Sequence, residues 1–197
     1  MKRSDTMQIL NIHGYHGSQK NSAYTALSEL GCDLISPSID YDETSPENIL
    51  GQLRYILAER RPDVVVGTSL GEFFAAVLSA EHGLPAILVN PCLMPFYHLP
   101  KLGFEGDVID FIAPFGSLSK LDKSLVSCIV GDADEVLGDH IFTEMLTRNS
   151  RFRRVSNGKH SGASLPLAEY FGEVLRYYQD KLPQKELAQT TFPDLLD

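Results

Sequence analysis

The feature that most constrains the fold of this chain is an alternation of strand-length segments, most of them apolar, with longer segments of helical period. The predicted strands are residues 7–13, 32–36, 63–67, 85–90, 125–131 and 151–156. The predicted helices are residues 22–30, 46–60, 72–82, 139–147 and 165–181. Repeated strand–helix units predict the α/β class, with a doubly wound, mostly parallel sheet of about six strands and helices on both faces.

The length and the net charge of the chain limit the kinds of protein and partner that it can represent. The 197 residues suit one domain, so we expect residues 1–197 to form a single domain. The net charge of −9 disfavours nucleic acid and anionic membranes as partners, and no apolar run is long enough to cross a bilayer. Cys32, Cys92 and Cys128 lie far apart and lack metal-ligand spacing. We therefore expect a reduced, cytoplasmic protein without a metal site, and the oligomeric state stays open.

Two stretches depart from the alternation. Residues 91–122 contain proline, glycine and several aromatic residues without a strong period, which predicts either an irregular insertion or a small cap. If this segment is a wall of a substrate pocket, Phe96 is a candidate substrate-binding residue. Residues 183–197 form a polar tail.

A Gly-x-Ser-x-Gly motif, Gly67-Thr68-Ser69-Leu70-Gly71, lies between a predicted buried strand and a predicted helix. In such a turn the backbone is strained, the serine Oγ is exposed, and the flanking glycines let chain and substrate approach. The turn also places the Leu70 N–H at a helix N-terminus, where a developing oxyanion is stabilised. The motif predicts Ser69 as a nucleophile, and the alternative is an ordinary helix N-cap.

A serine nucleophile needs a base, and the chain has six histidines. His160 follows the last predicted strand and emerges at the same edge of the sheet as Ser69, so it is the candidate base. His82 ends a helix that leads away from that edge, His98 lies in the possible cap, and His140 lies early in a helix.

The acid that orients His160 is expected after the preceding strand, in Asp132-Ala133-Asp134-Glu135. We assign it to Asp134, with Asp132 as the alternative, because Asp132 directly follows the strand and is suited to capping the turn. The chain order of serine, acid and histidine is that of α/β-hydrolases.

The glycine-rich turn after the first strand, His13-Gly14-Tyr15-His16-Gly17, is the expected source of a second oxyanion donor. We assign that donor to the Tyr15 N–H, beside the Leu70 N–H, and place His13 and Gly14 at the substrate, with His13 holding the loop. The turn lacks the glycine spacing of a dinucleotide site.

These motifs together resemble the YqiA-type small esterases of the α/β-hydrolase superfamily. The resemblance includes His13-Gly14, the turn with Ser69, Val89-Asn90-Pro91 followed by Pro95-Phe96, the segment 131–137, and His160 leading to Glu169-Tyr170-Phe171. It implies hydrolysis of carboxylic esters with short acyl chains by Ser69, Asp134 and His160, without a cofactor.

The expected substrate is therefore a small-molecule ester or thioester. A thioesterase, lactonase or peptidase could use the same triad, because the triad does not choose the leaving group. A catalytically silent binding protein on a hydrolase scaffold is the alternative from another class.

Overall fold

A computed structural model describes residues 6–181, and the predicted tail at 183–197 lies outside this range. In the described part, one sheet contains six strands, all of them parallel. They are β1 (Gln8–Ile12), β2 (Asp33–Ile35), β3 (Val64–Thr68), β4 (Ala86–Val89), β5 (Val126–Gly131) and β6 (Phe152–Val155). The predicted fold class and the number of strands are confirmed.

Helices cover both faces of the sheet. They are α1 (Ser22–Glu29), α2 (Pro46–Arg60), α3 (Leu70–His82), α4 (Pro95–His98), α5 (Ile112–Gly116), α6 (Ile141–Thr147) and α7 (Leu167–Lys181). Side chains of α1 and α7 pack on one face, whereas α2, α3 and the segment with α4 and α5 pack on the other. No helix between residues 6 and 181 is long and apolar enough to span a membrane.

Strand β3 shows why the sheet must be covered on both sides. Val64 and Val66 belong to the core beneath α1 and α7, while Val65 belongs to the core beneath α2 and α3, and all three are fully buried. Successive side chains of a strand point to opposite faces, so an uninterrupted run of valines requires apolar partners on both.

The strand order, β2-β1-β3-β4-β5-β6, determines where a ligand can bind. The chain moves outward from β1 to β2 and then returns to place β3 on the other side of β1. The loops that leave β1 and β3 therefore part in opposite directions and open a crevice at the carboxyl ends of these strands. Gly14 follows β1 and Ser69 follows β3, so this crevice contains both motifs singled out in the sequence.

The segment 91–122 is an insertion of short helices joined by 3₁₀ turns at Leu99–Leu102, Val108–Phe111 and Ser117–Lys120. Its side chains Leu99, Phe111 and Leu118 are buried in the core that also contains α3. The segment therefore covers the α3 face of the sheet.

Candidate active site

Ser69 stands in a sharp turn between β3 and α3, with φ 52° and ψ −118°. A residue with a Cβ rarely adopts a positive φ, so the surrounding structure must hold this strained backbone. The Ser69 N–H donates to the Val89 carbonyl at 3.2 Å, and the Ser69 carbonyl accepts from the Cys92 N–H at 3.1 Å. The Ser69 side chain does not cap α3. Its Oγ is therefore free for another partner, which argues against the alternative of an ordinary N-cap.

The glycines of the motif are required by close backbone packing. A Cβ on Gly67 would lie 2.6 Å from the Glu72 Cα, and a Cβ on Gly71 would lie 2.3 Å from the Ile12 carbonyl oxygen. A Cβ on Gly14 would lie 2.8 Å from the Ser69 Cβ. The start of α3 is thus pressed against the end of β1, and the loop after β1 lies directly beside Ser69.

The structure brings Ser69, His160 and Asp134 together in one chain of hydrogen bonds. The His160 Nε2 lies 3.1 Å from the Ser69 Oγ, and the His160 Nδ1 lies 2.9 Å from Asp134 Oδ2. An ionised carboxylate only accepts hydrogen bonds, so the Nδ1 carries the proton and the Nε2 is left to accept from the serine. This is the geometry that a serine nucleophile, its base and an orienting acid require.

Asn90 holds the loop that presents His160, and sequence reasoning did not assign it a role. It adopts a positive φ of 52°, and its Nδ2 donates to the carbonyls of Lys159 and His160, each at 2.8 Å. Its Oδ1 accepts from the Gly131 N–H at 2.7 Å. One buried amide therefore connects the end of β5 to the loop after β6. The Val89-Asn90-Pro91 segment noted in the sequence is the feature that could have pointed to this role of Asn90.

Asp134 is completely buried at its side chain and accepts hydrogen bonds at both oxygens. Its Oδ1 accepts from the N–H groups of Val136 and Leu137, each at 2.9 Å, and its Oδ2 also contacts His140 Nε2 at 3.0 Å. Burial alone would raise the pKa of this carboxyl, but hydrogen bonds from His140, His160 and Leu137 outweigh burial and hold the pKa well below its ordinary value. Asp134 is therefore ionised at neutral pH.

Asp132, the alternative acid, lies elsewhere. It is exposed, and its Oδ1 accepts from the Asn157 N–H at 2.6 Å. This bond supports the turn after β6, where Asn157 has a positive φ of 58°. The geometry separates the two aspartates, because Asp134 contacts His160 and Asp132 supports a turn.

The two predicted oxyanion donors flank Ser69. Leu70 is the first residue of α3, and Tyr15 lies in the turn closed by the bond from the Gly17 N–H to the Gly14 carbonyl at 2.9 Å. Among residues 6–181, neither the Leu70 N–H nor the Tyr15 N–H has a hydrogen-bond acceptor. Both groups are therefore available to an oxygen bound beside Ser69.

His13 is buried behind this loop and outside the cleft that contains Ser69. Its Nδ1 donates to the Gly14 carbonyl at 2.8 Å, and its Nε2 accepts from the Ile39 N–H at 3.0 Å. The Tyr41 hydroxyl donates to the His13 carbonyl. His13 therefore connects the loop after β1 to the segment after β2, in keeping with a role in holding that loop rather than in touching a substrate.

Phe96 is not brought to the site. Its ring lies edge-on against Phe115 at a centroid distance of 5.1 Å, and Phe115 in turn stacks on Phe142. These rings pack against the core that contains α3, and within the described chain none of the aromatic residues of 91–122 lines the cleft beside Ser69. Neither Phe96 nor any other residue of the segment 91–122 forms a wall of this cleft.

Glu72 lies on the first turn of α3 and is fully buried. Neither of its carboxyl oxygens has a hydrogen-bond partner among the residues that the structure describes. Burial, with a smaller contribution from the charge of Asp134, raises the pKa of Glu72 well above its ordinary value. Burial therefore disfavours the charged form of Glu72, whereas Asp134 is the buried carboxylate that His160 faces.

Comparison with solved structures defines the class of the fold. Est1E from Butyrivibrio proteoclasticus matches with a TM-score of 0.70 at 15% identity, over 89% of each chain. The esterase domain of a Rhodothermus marinus protein matches with a TM-score of 0.62 at 16% identity, over 89% of this chain and 87% of that one. MGS-MChE2, an alpha/beta hydrolase enzyme from a sediment metagenome of the Mar Chica lagoon in Morocco, gives 0.61 at 11% identity over 90% and 92%. The chain has the α/β-hydrolase fold.

The family follows from the sequence. Residues 8–107 match UPF0227, described as an uncharacterised protein family, and the chain belongs to it. UPF0227 is the YqiA-like family, so the resemblance noted in the sequence is confirmed. Comparison with curated proteins gave no match.

The buried Glu72 predicts a specific dependence of stability on pH. Folding raises the pKa of Glu72, so the folded state holds this proton more tightly than the unfolded state does. The contribution of Glu72 to the free energy of unfolding is therefore fully present below the unfolded pKa near 4.5 and is lost as pH rises. Glu72→Gln has no proton to lose. The difference in the free energy of unfolding between Glu72→Gln and the wild type should therefore grow in favour of the variant, by up to about 1.4 kcal/mol for each pH unit above the unfolded pKa. Urea denaturation from pH 5 to 8 measures the difference.

The matched control for this measurement is Glu59→Gln, at an exposed position on α2, for which no such trend is expected. Parallel stability curves for the wild type and Glu72→Gln would show that burial does not shift the titration of Glu72.

Proposed function

We propose that this protein is a serine hydrolase that cleaves carboxylic esters of short acyl chains through an acyl-enzyme. The observation that carries the proposal is the hydrogen-bonded chain from Asp134 through His160 to the Ser69 Oγ, which stands uncapped on a strained turn. The esterases and hydrolases among the structures of the same fold, and the membership of the YqiA-like family, support the same reaction class.

In the acylation step, the Ser69 Oγ forms a bond to the ester carbonyl carbon while the His160 Nε2 takes the hydroxyl proton. His160 is then an imidazolium, and the ionised Asp134 stabilises it through the Nδ1–H. The carbon–oxygen bond to the alcohol breaks, His160 gives its proton to the departing oxygen, and the acyl group stays on Ser69.

The N–H groups of Leu70 and Tyr15 stabilise the negative charge that develops on the carbonyl oxygen. The Leu70 N–H lies at the N-terminus of a 13-residue helix, whose dipole favours an anion. Donors that the fold holds in place before the reaction cost no reorganisation when the charge appears, and one such donor contributes about 10² to 10³ in kcat.

Water completes the cycle. His160 accepts a proton from a water molecule whose oxygen attacks the acyl carbon, and the Ser69 Oγ leaves with the proton that His160 returns. The products are a carboxylic acid and the free enzyme.

The cleft beside Ser69 supports the choice of short acyl chains. It has a volume of about 390 Å³ and is lined mostly by glycine, hydroxyl, amide and imidazole groups, including those of Ser18, Asn21, Ser22 and Ser161. Within the described chain, Val89 is the one aliphatic side chain of its lining. With Val89 as the one aliphatic side chain among the described lining residues, a long alkyl chain would find few side chains to pack against and would gain little binding free energy.

Hydrolysis of a series of p-nitrophenyl esters tests the proposal. The acetate and butyrate should be cleaved, and kcat/KM should fall from the hexanoate onward. Ser69→Ala should lose about 10⁴ to 10⁶ in kcat without loss of folding, as in other serine triads. Ser28→Ala, at an exposed position on α1, is the matched control. Turnover that survives in Ser69→Ala would end the assignment of the nucleophile, and a maximum at decanoate or longer would refute the short-chain preference.

Exchanging each aspartate for asparagine separates their roles. Asp134→Asn allows the wrong histidine tautomer, so kcat should fall by about 10⁴ and recover in part at high pH. Asp132→Asn should stay within about threefold of the wild type, because an amide oxygen can still accept the Asn157 N–H. The measurement is kcat against pH for both variants, and a crippled Asp132→Asn beside an active Asp134→Asn would reverse the assignment.

A further inference from the structure

A second imidazole contacts the carboxylate of the triad. The His140 Nε2 lies 3.0 Å from Asp134 Oδ2, and the side chains of His140 and Asp134 are 1% and 0% exposed. A carboxylate at this position only accepts, so the Nε2 carries the proton and donates it. Asp134 thus lies between two histidines, and only His160 of the two is hydrogen-bonded to Ser69 in the described part of the chain.

The place of His140 in the chain makes its side chain free for this contact. It stands at the N-cap position of α6, where its ring makes no capping bond. The neighbouring Asp139 accepts the Ile141 N–H at 3.0 Å instead. The His140 carbonyl accepts from the Glu144 N–H, so its backbone belongs to the helix while its ring turns inward.

The two oxygens of Asp134 are held in different ways. Oδ1 accepts from the backbone N–H groups of its own loop, at Val136 and Leu137, and it also lies 3.1 Å from the His160 Nδ1. Oδ2 accepts from His140 and His160. His160 gains and loses a proton in every catalytic cycle, whereas the buried His140 is outside the proton path. His140 is therefore the constant partner of Oδ2, the Asp134 oxygen that lies nearer to the His160 Nδ1.

We propose that His140 is a positioning residue of the triad, which acts through Asp134 and keeps Oδ2 aimed at the His160 Nδ1 while His160 changes charge. This inference rests on the proposed hydrolase function. It also explains why the site tolerates a buried carboxylate, since a buried charge needs several hydrogen bonds to offset its desolvation.

Other titratable and charged groups surround this pair. The cleft outside His140 is lined by His98, Lys101, Glu135 and Asp139, and Glu72 faces Asp134 from α3. Burial lowers the pKa of His98, and Lys101 and His140 lower it further. His98 forms no hydrogen bond to Asp134 in residues 6–181, so it offers a matched imidazole to remove from the same cleft.

The experiment compares three variants with the wild type on p-nitrophenyl butyrate. His140→Leu removes the donor and should lower kcat by about 10- to 100-fold with little change in KM, because a small misplacement of the base is costly. His140→Gln, whose Nε2 can donate from a similar position, should recover to within about fivefold of the wild type. His98→Leu should behave like the wild type. Thermal melts show whether each variant is folded.

The pH profile distinguishes positioning from mere packing. His140→Leu leaves Asp134 with one hydrogen-bond donor fewer, so the carboxylate stabilises a protonated His160 more strongly. The acid limb of the kcat profile should therefore move to higher pH in His140→Leu than in the wild type. A change in packing alone would leave this limb in place. His140→Gln should return the limb toward its wild-type position, and it keeps the test open if His140→Leu does not fold.

Two results would overturn the inference separately from the proposed function. If the wild type cleaves the ester and a folded His140→Leu matches it in kcat and in its acid limb, His140 does not position the triad. If folded His140→Gln is as impaired as His140→Leu, the N–H bond is not what matters. A wild type inert on every ester would overturn the proposed function and this inference with it.

Discussion

The strained backbone of Ser69 is the constraint on which the rest of the site depends. A positive φ at a residue with a Cβ costs free energy of order 1 to 3 kcal/mol, and it persists only where the surroundings leave no alternative. Here the hydrogen bonds to Val89 and Cys92 hold the turn from the side of β4, while Gly67 and Gly71 let α3 lie against β3 and β1. The same packing points the Ser69 Oγ into the crevice.

The electrostatic arrangement follows from burial at this edge of the sheet. Two carboxyl groups, Asp134 and Glu72, are both buried, and the charge of one acts on the other. Asp134 stays ionised because it accepts several hydrogen bonds, whereas burial raises the pKa of Glu72, which has no hydrogen-bond partner among the described residues. The buried negative charge of Asp134 therefore receives hydrogen bonds from both His160 and His140.

Local patterns predicted most of the fold, because an apolar strand, a glycine-rich turn and an amphipathic helix are each specified by neighbouring residues. The six strands and the turn at Ser69 are of this kind. Contacts between distant loops could not be predicted in the same way. Asn90 reaches the loop of His160 across about 70 residues of sequence, and His140 meets Asp134 because α6 begins with its side chain turned inward. Phe96 looked like a pocket residue because aromatic composition does not distinguish core from cleft.

The most direct test of whether Ser69 is an activated nucleophile is covalent labelling with a fluorophosphonate, followed by mass spectrometry of the peptides. The geometry predicts a single adduct, on Ser69, which forms with the wild type and is strongly reduced in His160→Asn. The absence of an adduct, or an adduct on another serine with Ser69 unmodified, would contradict the assignment of this crevice as the active site of a serine hydrolase.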